Sequence, residues 1–182
     1  MTKNSTNKRE SFLVLRCQTG DREAFDELLR SMQDRLWRYI SNLARDADLA
    51  DDITQEVFLI IYRKIGWLDD PALFWPWVYR IATRTTFKAL KKRSKGREEA
   101  FDEGHVVAAP VVEENVQLDA RLLEGISPAS RAVLVLHYVE DLSISETAEV
   151  LDISVGTTKS RLAYGLKLLR RKLDEMGELS SG

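Results

Sequence analysis

Apolar residues recur along most of this chain at the three-and-four spacing of a helix buried on one side. Phe25, Leu28, Leu29, Met32, Leu36, Tyr39 and Ile40 form one such stripe and predict a helix over about Asp21 to Leu43. A second is expected from near Asp48, which can cap it, with Ile53, Val57, Ile60 and Ile61 inward and Asp52, Gln55 and Glu56 together on the outer face. Phe74, Trp77, Val78 and Ile81 repeat in the same way and read as core. Near the end of the chain Ser143 and Glu146 have the spacing of a capping box. Ile144, Thr147, Ala148 and Leu151 then carry a short helix to Leu151. Asp152-Ile153-Ser154 supplies a turn, because Asp tolerates a left-handed backbone, Ile153 can plug the angle and Ser154 can cap the next helix. That helix begins at Val155, with Val155, Leu162, Leu166, Leu169 and Leu173 as its apolar stripe and Thr158 filling the gap. No window alternates as a strand does, so the fold class is all-α: two small helical domains joined by a flexible acidic linker, the C-terminal one with a helix-turn-helix.

Composition sharpens the division. With 182 residues, 44% of them hydrophobic, the chain can bury a core, and no apolar run is long enough to span a membrane. The polar segment Met1 to Glu10 lacks the apolar core of a signal peptide, so a frayed tail and a cytoplasmic location are expected. The net charge of −2 conceals segregation. Asp102, Glu103, Glu113, Glu114, Asp119 and Glu124 face only Arg121 in the middle of the chain, among Pro, Gly and unpatterned valines. The expected organisation is a tail over 1–10, a first domain over 11–97, a linker over 98–125, a second domain over 126–176 and a tail over 177–182.

Two windows are free of acids and rich in cations. Between Ile153 and Leu173 the cations are Lys159, Arg161, Lys167, Arg170, Arg171 and Lys172, and Thr157, Ser160 and Tyr164 add hydrogen-bonding groups away from the apolar stripe. A basic helix coming after a short helix and a tight turn suits a DNA major groove. The helix macrodipole alone explains Arg170 to Lys172, but not Lys159 and Arg161. Between Pro71 and Arg97, Arg80, Arg84, Lys88, Lys91 and Lys92 fall mostly on one helical stripe. Trp67 and Trp75 lie beside that track, and aromatics next to cations can hold unstacked bases and their backbone. Melted DNA is the expected ligand.

Other chemistry finds no support in the residues. One cysteine, Cys17, excludes an internal disulfide, and with His105 and His137 it makes no metal-ligand set, so neither metal nor cofactor is expected. Cys17 reads as a core residue. The Asp52, Gln55 and Glu56 patch has no histidine partner for catalysis and is better suited to docking a basic protein surface.

Asp51-Asp52-Ile53-Thr54-Gln55-Glu56-Val57-Phe58, then Trp77-Val78-Tyr79-Arg80-Ile81-Ala82, then Leu142 through Leu162, in that order and separation, resemble a bacterial RNA polymerase sigma factor of the extracytoplasmic-function group, sigma-70 family. The resemblance implies a non-enzymatic initiation factor whose first domain docks on the clamp helices of the polymerase largest subunit and opens the minus-ten element. Its second domain would read the minus-thirty-five element and meet the polymerase flap. Asp51, Asp52, Gln55 and Glu56 would then face polymerase, and residues around Leu68 to Phe74 would form a loop that captures a flipped base. The helix bearing Arg84 and Lys88 would line the opened strand. Thr157, Lys159, Ser160, Arg161, Ala163, Tyr164 and Lys167 would meet the minus-thirty-five duplex, and an anti-sigma factor is an expected partner. Asp152 stands where the family's turn usually has Gly, Thr158 where a buried Val is common, Arg84 and Lys88 where Asn or Asp is frequent, and Tyr164 where Arg is frequent. The competing reading is a free-standing helix-turn-helix regulator that binds an operator as a dimer and needs no polymerase contact.

Overall fold

The computed structural model describes residues 3–99 and 122–179. Helices α1 (Lys3–Gln18), α2 (Arg22–Ala44) as far as Ser41, α3 (Ala47–Lys64) and α4 (Phe74–Glu99) build one compact unit, and the end of α2 from Asn42 groups with α5 (Pro128–Leu134), α6 (Ile144–Leu151) and α7 (Val155–Leu179) in a second. Among the described residues there is no strand.

In the first unit the predicted stripe of α2 is the core: Leu28, Met32, Leu36, Tyr39 and Ile40 are fully buried. Ile53, Val57 and Ile61 of α3 and Phe74, Val78 and Tyr79 of α4 close on it. Tyr39 and Tyr79 pack with ring centroids 4.7 Å apart, and the Tyr39 hydroxyl and Thr83 Oγ1 are 2.6 Å apart. Thr83 and Thr86 donate to the carbonyls of Tyr79 and Ala82, which lets buried hydroxyls sit on the inner face of α4 without a lost hydrogen bond.

The expected tail over 1–10 is helical from Lys3. Its polar sequence hides a docking edge, for Arg9 pairs with Glu27 at 2.6 Å and Glu10 accepts the Trp75 indole N–H at 2.9 Å. Asp48 is not the cap of α3 but lies inside its first turn, where a carboxylate favours the positive end of the helix. Trp77, expected in the core, is half-buried, and it is Trp75 that the fold encloses.

In the second unit Leu123, Ala132, Val133, Leu134, Val135 and Leu136 are fully buried. Leu123 therefore belongs to this core rather than to the expected linker, of which 100–121 lie outside the described residues and 98–99 continue α4. Ser127 caps α5, its Oγ accepting from Ser130 N at 3.3 Å ahead of Pro128 in the first turn. The stripe of α7 is shifted from the expected one. Val155 and Leu173 are exposed, while Thr158, Leu162, Gly165 and Leu169 face inward. Gly165 permits this, because its missing side chain is where Leu134 sits.

Candidate functional site

The helix-turn-helix is built from local chemistry. Ser143 N donates to Glu146 Oε2 at 2.7 Å and Glu146 N donates to Ser143 Oγ at 3.2 Å, so both halves of the capping box are present. Hydrogen bonding to its carboxyl from the Ser143 side chain first, and from the Ser143 backbone N–H, holds Glu146 below its ordinary range. Asp152 ends α6 in the left-handed region, at φ 56° and ψ 48°, and Ile153 N reaches back to Ala148 O at 3.1 Å. Ser154 then starts α7: its Oγ accepts from Thr157 N at 3.0 Å, and its carbonyl accepts from Thr158 Oγ1 at 3.1 Å. Thr158 is thus a buried hydroxyl with its hydrogen bond made, which removes the desolvation cost that a polar residue in that place would carry.

Beyond this turn, Lys159, Ser160, Ala163, Tyr164 and Lys167 are exposed on α7, and Thr157 and Arg161 are partly exposed. Thr157 Oγ1 lies 2.8 Å from Ser154 Oγ and Ser160 Oγ donates to Thr157 O at 3.0 Å, so both hydroxyls help hold the first turn of the helix they would present to DNA.

In the first unit the structure brings two charged faces together. Asp51, Asp52, Gln55 and Glu56 are exposed on α3, but Asp51 differs from the others because it accepts the Trp37 indole N–H at 2.6 Å. Arg80, Arg84, Lys88, Lys91 and Lys92 are exposed along α4. A groove of about 540 Å³ separates these helices, with Asp52 and Glu56 on one wall and Lys88, Lys92 and Arg93 on the other. Acids and cations expected to serve different partners share one opening.

The two tryptophans expected at the DNA track part company. Trp67 is 76% exposed, with Lys64 Nζ 5.9 Å from its ring centroid. Trp75 is only 9% exposed: Arg35 Cζ lies 4.0 Å over its ring, Tyr79 packs at 5.3 Å and its N–H is taken by Glu10. Little of the Trp75 ring is therefore exposed for a base to stack on, whereas Trp67 is open. No pattern in the sequence points to Gln18, whose Nε2 donates to Ile65 O at 3.0 Å and Leu68 O at 2.7 Å on either side of Trp67. A long-range amide-to-carbonyl bond leaves no trace in local periodicity.

Among the described residues no group of His, Cys, Asp and Glu could hold a metal ion. Cys17 is buried beside Asp21, and burial above all pushes its thiol up to about 11.

Comparison with known proteins identifies the two units. Residues 28–96 match sigma-70 region 2 and residues 120–169 match sigma-70 region 4. The chain is 30% identical over 179 residues to the ECF RNA polymerase sigma factor SigW of Bacillus subtilis, covering 90% of this chain and 96% of that one. It belongs to the extracytoplasmic-function sigma factors. The RNA polymerase sigma-H factor of Pseudomonas aeruginosa is also 30% identical, over 94% of this chain and 97% of its own length. Two solved structures share the fold. CnrH, in complex with the cytosolic domain of CnrY, superposes with a TM-score of 0.68 at 22% identity over 92% of this chain and 98% of its own. The sigma factor RpoE of Bartonella quintana, in complex with the anti-sigma factor NepR, gives 0.69 at 19% identity over 82% and 96%. As an ECF sigma factor this chain joins core RNA polymerase and directs promoter-specific transcription initiation, which displaces the reading as a free-standing operator-binding regulator.

Proposed function

We propose a division of labour among the exposed faces of this sigma factor. Asp52, Gln55 and Glu56 dock on the clamp helices of the polymerase largest subunit, with Asp51 holding α2 to α3 beside them. Trp67 and the segment from Leu68 to Phe74 capture a flipped base of the minus-ten element, and Arg80, Arg84, Lys88, Lys91 and Lys92 carry the opened strand by its phosphates. Thr157, Lys159, Ser160, Arg161, Ala163, Tyr164 and Lys167 meet the minus-thirty-five duplex, and the second unit meets the flap. The protein works by binding rather than by catalysis, in the cytoplasm; no described helix is long and apolar enough to cross a membrane.

The observation that carries this reading is the pairing, in the first unit, of an exposed tryptophan with an exposed cationic stripe, because cations serve any DNA but an exposed aromatic beside them serves unstacked bases. A protein inhibitor of the anti-sigma kind is proposed as a further partner, supported by the inhibitor-bound RpoE of like fold.

Run-off transcription with purified bacterial core polymerase on a pool of genomic promoter fragments tests the whole. Protein-dependent transcripts from fixed start sites are expected, and Glu56→Lys should abolish both these and core binding. Full core binding by Glu56→Lys would move the docking face elsewhere.

A further inference from the structure

We propose that α1 is a brace for the strand-capture loop and that Gln18 is its positioning residue, an inference that rests on the assignment of that loop to base capture. Between α3 and α4 the chain makes two single 3₁₀ turns, Ile65–Trp67 and Pro71–Leu73, and α1 packs against both. Its hold is at the two ends of the segment. At the near end the Gln18 amide donates to the carbonyls of Ile65 and Leu68, straddling Trp67. At the far end Glu10 accepts the Trp75 N–H while Arg35 lies over that ring. Glu10 and Gln18 are about two turns apart on α1 and so present to the same side of it.

The rest of α1 is fixed independently. Leu13 and Val14 are buried, Gly20 turns the chain at φ 85°, and Arg16 is joined to Asp21 at 2.6 Å at the start of α2. A rigid helix thus holds a short, irregular segment whose aromatic residue has almost no packing of its own. The reach of the Trp67 ring is set by where its backbone lies, and the carbonyls on either side of it are tied by Gln18. Capturing an unstacked base on a loop whose backbone is already held avoids the entropy of ordering that backbone at the moment of binding. Gln18 touches no DNA in this arrangement; it acts through Trp67 and Leu68.

The test uses holoenzyme assembled from the full chain and bacterial core polymerase, and a library of single-stranded oligonucleotides with randomised bases, sequenced after binding. Wild type is expected to enrich one base at the captured position. Gln18→Glu keeps the shape but has no hydrogens to donate, and should lower that enrichment at least tenfold while core affinity stays within twofold. Gln18→Lys keeps donors and should hold the enrichment within threefold of wild type. Unchanged enrichment in Gln18→Glu would overturn the proposal, and so would equal loss in both variants, which would mean bulk rather than hydrogen bonding is at work. Enrichment that survives both Trp67→Ala and alanine substitution of residues 68–73 would instead show that the loop assignment itself is wrong, and the brace would fall with it.

Discussion

A Cβ placed on Gly165 would lie 2.8 Å from Leu134 Cδ1, closer than carbon atoms approach, so α7 passes α5 at a point where only hydrogen fits. Leu134 is fully buried, so its side chain can make room only by repacking against its neighbours. Gly165→Ala should therefore destabilise the protein by about 1–3 kcal/mol despite alanine's better helix preference. Gly156, on the same helix, meets only Ser154 Oγ at 3.7 Å, and Gly156→Ala should be neutral or gain up to about 1 kcal/mol. Urea unfolding followed by circular dichroism separates the two.

Asp152 takes the left-handed backbone that ends α6. Asp152→Gly should leave stability unchanged or raise it, whereas Asp152→Val, whose branched side chain clashes in that region, should cost at least about 1 kcal/mol. Thermal unfolding of the pair checks this; equal melting temperatures would mean the turn has relaxed.

Two carboxylates should bend the pH dependence of stability in opposite directions. Glu146 sits below its ordinary range through the hydrogen bonds to Ser143, so its contribution is present above that range and is lost as pH falls through the depressed value. Glu10 is raised, chiefly by burial, against the opposing pull of the Trp75 hydrogen bond and Arg35. Its contribution is full in acid and is lost as pH rises through the raised value. Glu10→Gln should melt at or above wild type near neutrality and converge with it in acid. Glu146→Gln should melt below wild type near neutrality and likewise converge in acid. Melting curves between about pH 4 and pH 7 read both.

Lys88 is exposed on the α4 stripe and is expected to meet phosphate rather than bases. Lys88→Ala should weaken holoenzyme binding to opened DNA about equally for all sequences and lower the slope of log affinity against log salt by about 0.7. A changed base preference in the transcripts would place Lys88 at a base edge instead.

Cys17, buried and with its thiol pushed up to about 11, should react with a disulfide reagent at neutral pH only as fast as the protein opens. Its labelling rate should rise with urea along the unfolding curve. Prompt labelling in buffer would contradict its burial.

How much of the molecule is legible in its sequence depends on how far each interaction reaches along the chain. The capping box, the left-handed Asp152 and the Ser154 cap involve neighbours within a few residues, and all take the expected form. The stripe of α2 does too, because helical period is a local property. The tryptophans divide against expectation, since Trp75 is enclosed by Glu10 and Arg35, and neither partner is near it in sequence. Gln18 is silent for the same reason. Gly165 escapes notice because an absent side chain adds nothing to an apolar pattern, although that absence sets how near two helices come.

The bond from Glu10 to Trp75 also changes what counts as expendable at the front of the molecule. A chain trimmed to begin at Ser11, as its polar opening residues invite, would lose the carboxylate that meets the Trp75 indole and the Arg9 tie to Glu27. It would keep every residue of both matched sigma-70 segments, 28–96 and 120–169, and yet lose two of the contacts that seat α1 on the first unit.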